Sequence, residues 1–315
     1  MRSRALALLL MLPAAALAAD APPVQDWSKD GEIVVVVAPK PGPALWHISQ
    51  NGSDVWIMGV VSPIPHDLKW NTAALDDVIT GARQVYLQPR LTAGFLEASW
   101  FLLTGLHKLK LQDGQTLQTV LPEDLKSRYA AWLAKLGKDP GKDDEYLPAI
   151  AALDLEKMFQ DHAGLEAEPD SRIERIADRL GAPAKPLSVY QAMPIVNEIQ
   201  TLSPENERAC LKDALDDIDV QAAHADAAAR AWAVGDIAGV KANYSETKLF
   251  ECFSQTKTFA ADREQATKDA LDAVHASLAA PGKSLIVISM GTLLRQGGLL
   301  DRLKQQNIVV EGPPE

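Results

Sequence analysis

Cysteine and histidine are both scarce, with two and six among 315 residues. Two cysteines, Cys210 and Cys252, are too few for a disulfide-stapled scaffold or a thiolate zinc module. The histidines, His47, His66, His107, His162, His224 and His275, nowhere approach the His-Glu-x-x-His spacing that puts two imidazoles on one helix face. No Gly-x-Ser-x-Gly turn is present to expose a nucleophilic serine. Positive charge is short as well: 31 Lys and Arg face 42 Asp and Glu, for a net charge of −11. That balance argues against nucleic acid or an anionic membrane surface as partner. Beyond the N-terminus no stretch reaches the ~18 unbroken apolar residues of a spanning helix.

The N-terminus itself reads as a secretory signal over residues 1–18. Arg2 and Arg4 supply the positive region, Ala5 to Leu12 the apolar one, and Ala16-Leu17-Ala18 the small-residue cleavage site. The apolar part is too short to span a bilayer, and no cysteine follows the cleavage site to carry a lipid. The expectation is export to the periplasm or beyond. Removing Arg2 and Arg4 leaves 29 basic against 42 acidic residues, a charge of −13. Export makes a Cys210–Cys252 disulfide permissible, and two buried thiols remain the alternative.

Residues 19–43 read as a Pro- and Ala-rich leader with a first strand over Glu32–Ala38, which holds four consecutive valines. Two strand-like runs follow, Ala44–Ser49 and Asp54–Val61. Asn51-Gly52 lies between them, a hairpin signal because both residues tolerate positive φ. The alternation puts Trp46 and Ile48 on one face and His47 on the other. An amphipathic helix over Trp70–Ala82 and a strand over Gln84–Gln88 complete a strand–helix–strand unit, which favours parallel pairing.

From about 92 to 280 the pattern is almost wholly helical. Helices are expected over 92–106, 123–137, 146–162, 170–180, 190–201, 204–219, 222–234 and 259–279, with a strand at Lys185–Val189. Pro204 suits a first helical position behind a Ser203 cap. Strand returns at Ser284–Ser289, helix at Leu293–Gln306 and strand at Ile308–Val310. The fold class is therefore α/β with α+β character. A central mixed sheet is built from N- and C-terminal strands, and a large helical insertion packs over it within one domain, 44–315.

Several segments together carry a resemblance. They are Leu45-Trp46; Gly59-Val60-Val61-Ser62; Tyr86-Leu87-Gln88; Trp232-Ala233-Val234-Gly235-Asp236; Arg263-Glu264; Ser289-Met290-Gly291-Thr292-Leu293; and Gly298-Leu299-Leu300-Asp301-Arg302-Leu303. In order and spacing they resemble the TraB/GumN family, related to the Tiki metal-dependent proteases, over about residues 44–311. The resemblance implies an α/β scaffold, that of metal-dependent hydrolases or proteases, with a divalent-metal site made by two histidines and a glutamate. Here those positions are Ser62, Thr292 and Gln88, while Ser289 replaces a glycine and Glu264 an asparagine.

Neutral hydroxyls and an amide carbonyl are poor donors for Zn²⁺, Co²⁺ or Mn²⁺, which usually take imidazole and carboxylate. Without a metal, nothing brings the pKa of water from ~15.7 toward ~7. These residues point to a chain with no cofactor and no metal, and to a catalytically inactive relative. Ser62, Gln88, Arg263 and Thr292 either line a polar pocket for a peptide, glycan or protein, or bond one another and fill the old site. Gly59 and Gly291 are read as tight-turn residues needing unusual backbone angles. The alternative function is an active metal-dependent peptidase whose ligands have moved to His66, His47 or Asp67.

Overall fold

The computed structural model describes residues 41–94, 99, 101, 105–141, 144–166, 170–253 and 256–313. The signal sequence at 1–18, the strand at Glu32–Ala38 and most of the helix expected over 92–106 lie outside these residues. The fold is the expected mixed α/β arrangement.

Strands β1 (Leu45–Gln50) and β2 (Ser53–Val60) form an antiparallel hairpin with Leu45 opposite Met58 and Gln50 opposite Ser53. Asn51 and Gly52 turn the chain with φ of 52° and 78°, the left-handed angles that such a two-residue turn requires. Trp46 and Ile48 are buried, and His47 faces the other way against the Trp56 ring. A short antiparallel pair sets β3 (Ile64–Pro65) against β6 (Leu165–Glu166), and a parallel pair joins β5 (Arg90–Thr92) to β8 (Val189–Gln191).

The main sheet has the order β1-β2-β9-β4-β7, where β4 is Gln84–Leu87, β7 is Ala184–Pro186 and β9 is Gly282–Ser289. All pairings except the first hairpin are parallel. The expected direct pairing of β2 with β4 is corrected here: both bond to β9, which lies between them. The reason is composition. Leu285-Ile286-Val287-Ile288 is apolar on both faces, so it must be covered on both faces and takes the centre. The helical region also lends β7 to this sheet, and no strand forms at Ile308–Val310. Just beyond, Glu311 makes a two-way backbone bridge to His47.

The two helices expected at 204–219 and 222–234 are one helix of 30 residues, Pro204–Ala233. Nothing between them breaks it: the junction is rich in alanine, the best helix former. The Ser203 hydroxyl caps its start by accepting from the Asn206 N–H at 3.2 Å, with Pro204 in the first turn. The helix is about 45 Å long at 1.5 Å per residue, and it serves two cores. Leu211, Ala214, Leu215 and Ile218 pack into a helical core with Ala152, Leu155 and Phe159 of the helix Pro148–Ala163. Ala229, Trp232 and Ala233 enter the core beneath the sheet. The C-terminal helix expected at Leu293–Gln306 is in turn split by Gly297-Gly298 into Met290–Leu294 and Leu299–Gln305. Among the described residues no helix is long and apolar enough to cross a membrane.

Trp232-Ala233-Val234-Gly235-Asp236 is the joint between helix and sheet. The Trp232 indole N–H donates to the Gly59 carbonyl at 2.8 Å, wholly buried. Gly235 reverses the chain at φ 75°, and a Cβ there would press on the Gly42 carbonyl at 2.8 Å. Asp236 caps the next helix, Ile237–Asn243, by accepting from the Gly239 N–H at 2.8 Å. Replacing Trp232 with Phe keeps most of the apolar contact but strips the Gly59 carbonyl of its indole donor. The expected cost is about 1–3 kcal/mol, read as a lower urea midpoint with an unchanged m-value.

Candidate functional site

Three neighbouring parallel strands end side by side, with Val60 of β2 opposite Ser289 of β9 and β4 on the far side. Side chains just past those ends share one place, the carboxyl edge of a parallel sheet, where α/β folds commonly bind ligands. Ser62, Gln88 and Ser289 meet there on one wall of a cavity of about 750 Å³. The facing walls come from Glu156 of the helix Pro148–Ala163, from Asp217 and Gln221 of the long helix, and from Tyr244 and Glu246 of the loop at 244–248.

The other two expected site residues stand behind this wall. Thr292 is not among the lining residues. Its backbone N–H donates to the Ser289 hydroxyl at 3.0 Å, capping the helix Met290–Leu294, and its own hydroxyl accepts from Ser289 at 2.8 Å. Arg263, on the helix Lys257–Leu278, is ion-paired with Glu246, whose carboxylate also has the Arg295 guanidinium 3.8 Å away. The neighbouring Glu264 turns outward to a two-pronged pair with Arg302 at 2.9 and 3.1 Å.

Gly59 and Gly291 require a correction. Neither has positive φ: Gly59 lies within β2 and Gly291 within the helix Met290–Leu294. What each site demands is the absence of a side chain. A Cβ on Gly59 would sit 2.8 Å from the Met290 sulfur and 2.9 Å from Leu293 Cδ2. A Cβ on Gly291 would overlap the Glu246 carboxylate. The second glycine is therefore a seat for an acidic side chain, and Glu246 settles on the turn that carries Ser289 and Thr292.

These residues do not fit a hydrolytic metal. Ser62, Gln88, Ser289 and Thr292 bring only neutral oxygens. Glu246, the acid nearest to the turn, has its charge answered by two guanidinium groups. Among the described residues no group of three or more His, Cys, Asp or Glu side chains is placed to hold an ion. The histidines and acid that offer alternative ligands are dispersed. His66 lines the cavity, largely exposed, with Nδ1 3.4 Å from Glu166. Asp67 is exposed beside it. His47 stacks on Trp56 and bonds Asp54 and Glu311 on β1, outside the lining.

Carboxyl groups dominate the helical wall. Burial pushes the Glu156 carboxyl up to about 7, the Asp217 charge adds to the rise, and the Gln221 amide opposes it. Asp217 is also raised by burial, against three donors: the Thr247 hydroxyl, Lys248 N–H at 2.9 Å and Leu249 N–H at 2.8 Å. Those bonds pin the start of the helix Leu249–Phe253 to the long helix. Cys252, in that same short helix, is joined to Cys210 by a disulfide, with Cα atoms 5.2 Å apart.

Sequence reasoning passed over Glu156, Asp217 and Glu246. For Asp217 a signal existed: it falls between Ala214 and Ile218 on the apolar face of its helix, where a carboxylate needs a reason. Glu246 carried none, because loop acids are ordinarily solvated.

The model of the TraB/PrgY/gumN family matches residues 44–312, so the chain belongs to that family. No curated protein and no solved structure matches it.

Gly291→Ala should displace the Glu246 carboxylate and cost about 1–3 kcal/mol. In a double-mutant cycle with Glu246→Ala most of that cost should vanish, measured by denaturant unfolding. Glu156 offers a pH test. Its folded-state pKa lies above the ordinary 4.5, so its contribution is complete below that pH and is lost as pH rises through about 7. Glu156→Gln should thus stabilise the protein at pH 8 by roughly 1–3 kcal/mol. It should also flatten the decline in melting temperature between pH 5 and pH 8.

Proposed function

We propose that this TraB/PrgY/gumN-family chain is an exported binding protein, periplasmic or secreted, and a catalytically silent relative of the Tiki metal-dependent proteases. It keeps the α/β scaffold and uses the cleft at the sheet's carboxyl edge to hold a peptide, glycan or protein partner. One observation carries the reading. The side chains that converge at the strand ends are alcohols and an amide, and the nearest carboxylate, Glu246, is claimed by Arg263 and Arg295.

Several features support a binding role. A volume of about 750 Å³ accommodates a small ligand or a few residues of a peptide. Hydroxyls, amides and carboxylates on its walls can bond backbone amides or sugar hydroxyls with no metal. The acidic surface and the Cys210–Cys252 bond suit an exported protein.

The test is metal content after purification in the presence of Zn²⁺, Co²⁺ or Mn²⁺, read by elemental analysis. The expected result is far less than one equivalent of any of them. Stoichiometric metal that disappears on His66→Ala or His47→Ala would establish the relocated-ligand peptidase instead.

A further inference from the structure

Glu156 stands apart from the other acids around the cavity. Asp161 is paired with Lys157 at 3.0 Å, Glu166 with Arg172 at 2.6 Å, and Glu246 with Arg263. Asp217 has its three donors from the 247–249 segment. Glu156 has two amide donors and nothing else among the described residues: Gln221 Nε2 at 3.2 Å and Gln160 Nε2 at 3.4 Å, both on Oε1. Among the described residues no cation is paired with it. Beside it, the Gln221 side-chain oxygen is buried without a donor. Both residues line the cavity. An acid lacking a counter-charge and a buried acceptor lacking a donor, side by side, ask for one thing: a group that brings N–H donors together with positive charge.

We propose that the pocket between the helix Pro148–Ala163 and the long helix binds a primary ammonium group, seated between the Glu156 carboxylate and the Gln221 amide oxygen. This deepens the binding reading above and rests on it. Exposed Leu153, one turn before Glu156, and Val220, Ala225 and Ala228 on the long helix give apolar walls for the alkyl stem that carries such a group. The same chemistry is available from a lysine side chain in a peptide or from a free diamine.

The proposal has a pH signature. The titratable groups that line the cavity together with Glu156 are Asp217 from the long helix, Lys157 and Asp161 from its own helix, His66 and Glu166 from the β3–β6 side, and Glu246 from the loop. A cation binds the ionised acid, so affinity rises as Glu156 loses its proton with increasing pH.

The experiment is calorimetric titration of the full chain at pH 5.5 and pH 8.5 with four probes. These are the peptide Ala-Lys-Ala with blocked ends, its norleucine counterpart, 1,5-diaminopentane and a neutral trisaccharide. The expected result is binding of the lysine peptide or the diamine, roughly tenfold or more tighter at pH 8.5. Glu156→Gln, shown to be folded by its melting curve, should weaken that binding about tenfold and remove most of the pH dependence. The stronger of the peptide and diamine arms identifies the source of the ammonium group. Equal binding of the norleucine peptide, or binding of the trisaccharide alone, would overturn the ammonium assignment while leaving a metal-free binding cleft in place. Failure of both amines to bind, together with stoichiometric metal in the purified protein, would overturn both readings.

Discussion

One buried hydrogen bond holds the layers of this protein in register, from the Trp232 indole to the Gly59 carbonyl. It joins the C-terminal end of a 30-residue helix to an interior strand, at a point where that strand has no side chain. The other end of the helix lies in a separate core among Leu211, Leu215 and Ile218. A rod embedded in two cores places its middle between them, and that middle carries Asp217 and Gln221 to the cavity. The cavity wall is thus positioned by anchors on either side of it, and the bonds of Asp217 and Gln221 add to them.

The sheet supplies the opposite wall by an equally indirect route. Because β9 must be buried on both faces, it sits between β2 and β4, and three strand ends arrive together. The side chains that converge at that edge are hydroxyls and an amide, and Glu246, the acid seated on the turn, is answered by arginines. These features are mutually consistent. A carboxylate resting on Gly291 would be costly to leave unpaired, and the two guanidinium groups remove that cost. The helical wall differs, since among the described residues only amides bond Glu156.

Much of the architecture was legible in the residues. The hairpin at Asn51-Gly52, the burial of Trp46 and Ile48, the Ser203–Pro204 helix start and the mixed sheet closed by both ends of the domain all follow from local chemistry. So does the convergence of Ser62 and Gln88, since both stand just past strand ends. Three features resisted. Strand order depends on which run most needs burial, and that comparison spans the whole chain. The merging of two helices turned on the lack of a breaker near Gln221, a weak negative signal. The glycines misled because a requirement for empty space and one for positive φ leave the same mark in a sequence. Glu246 illustrates the general limit: a loop acid shows its importance only when its neighbours in space are known.

The bond between Cys210 and Cys252 closes a loop of chain 42 residues in separation, and that loop includes Glu246 and Tyr244. It ties the short helix that follows the 244–248 loop to the long helix that forms another wall of the cavity. With that bond reduced, the segment would stay tied to the long helix through Asp217 and to Arg263 and Arg295 through Glu246, so the redox state of the surroundings bears on how many tethers hold this side of the cavity.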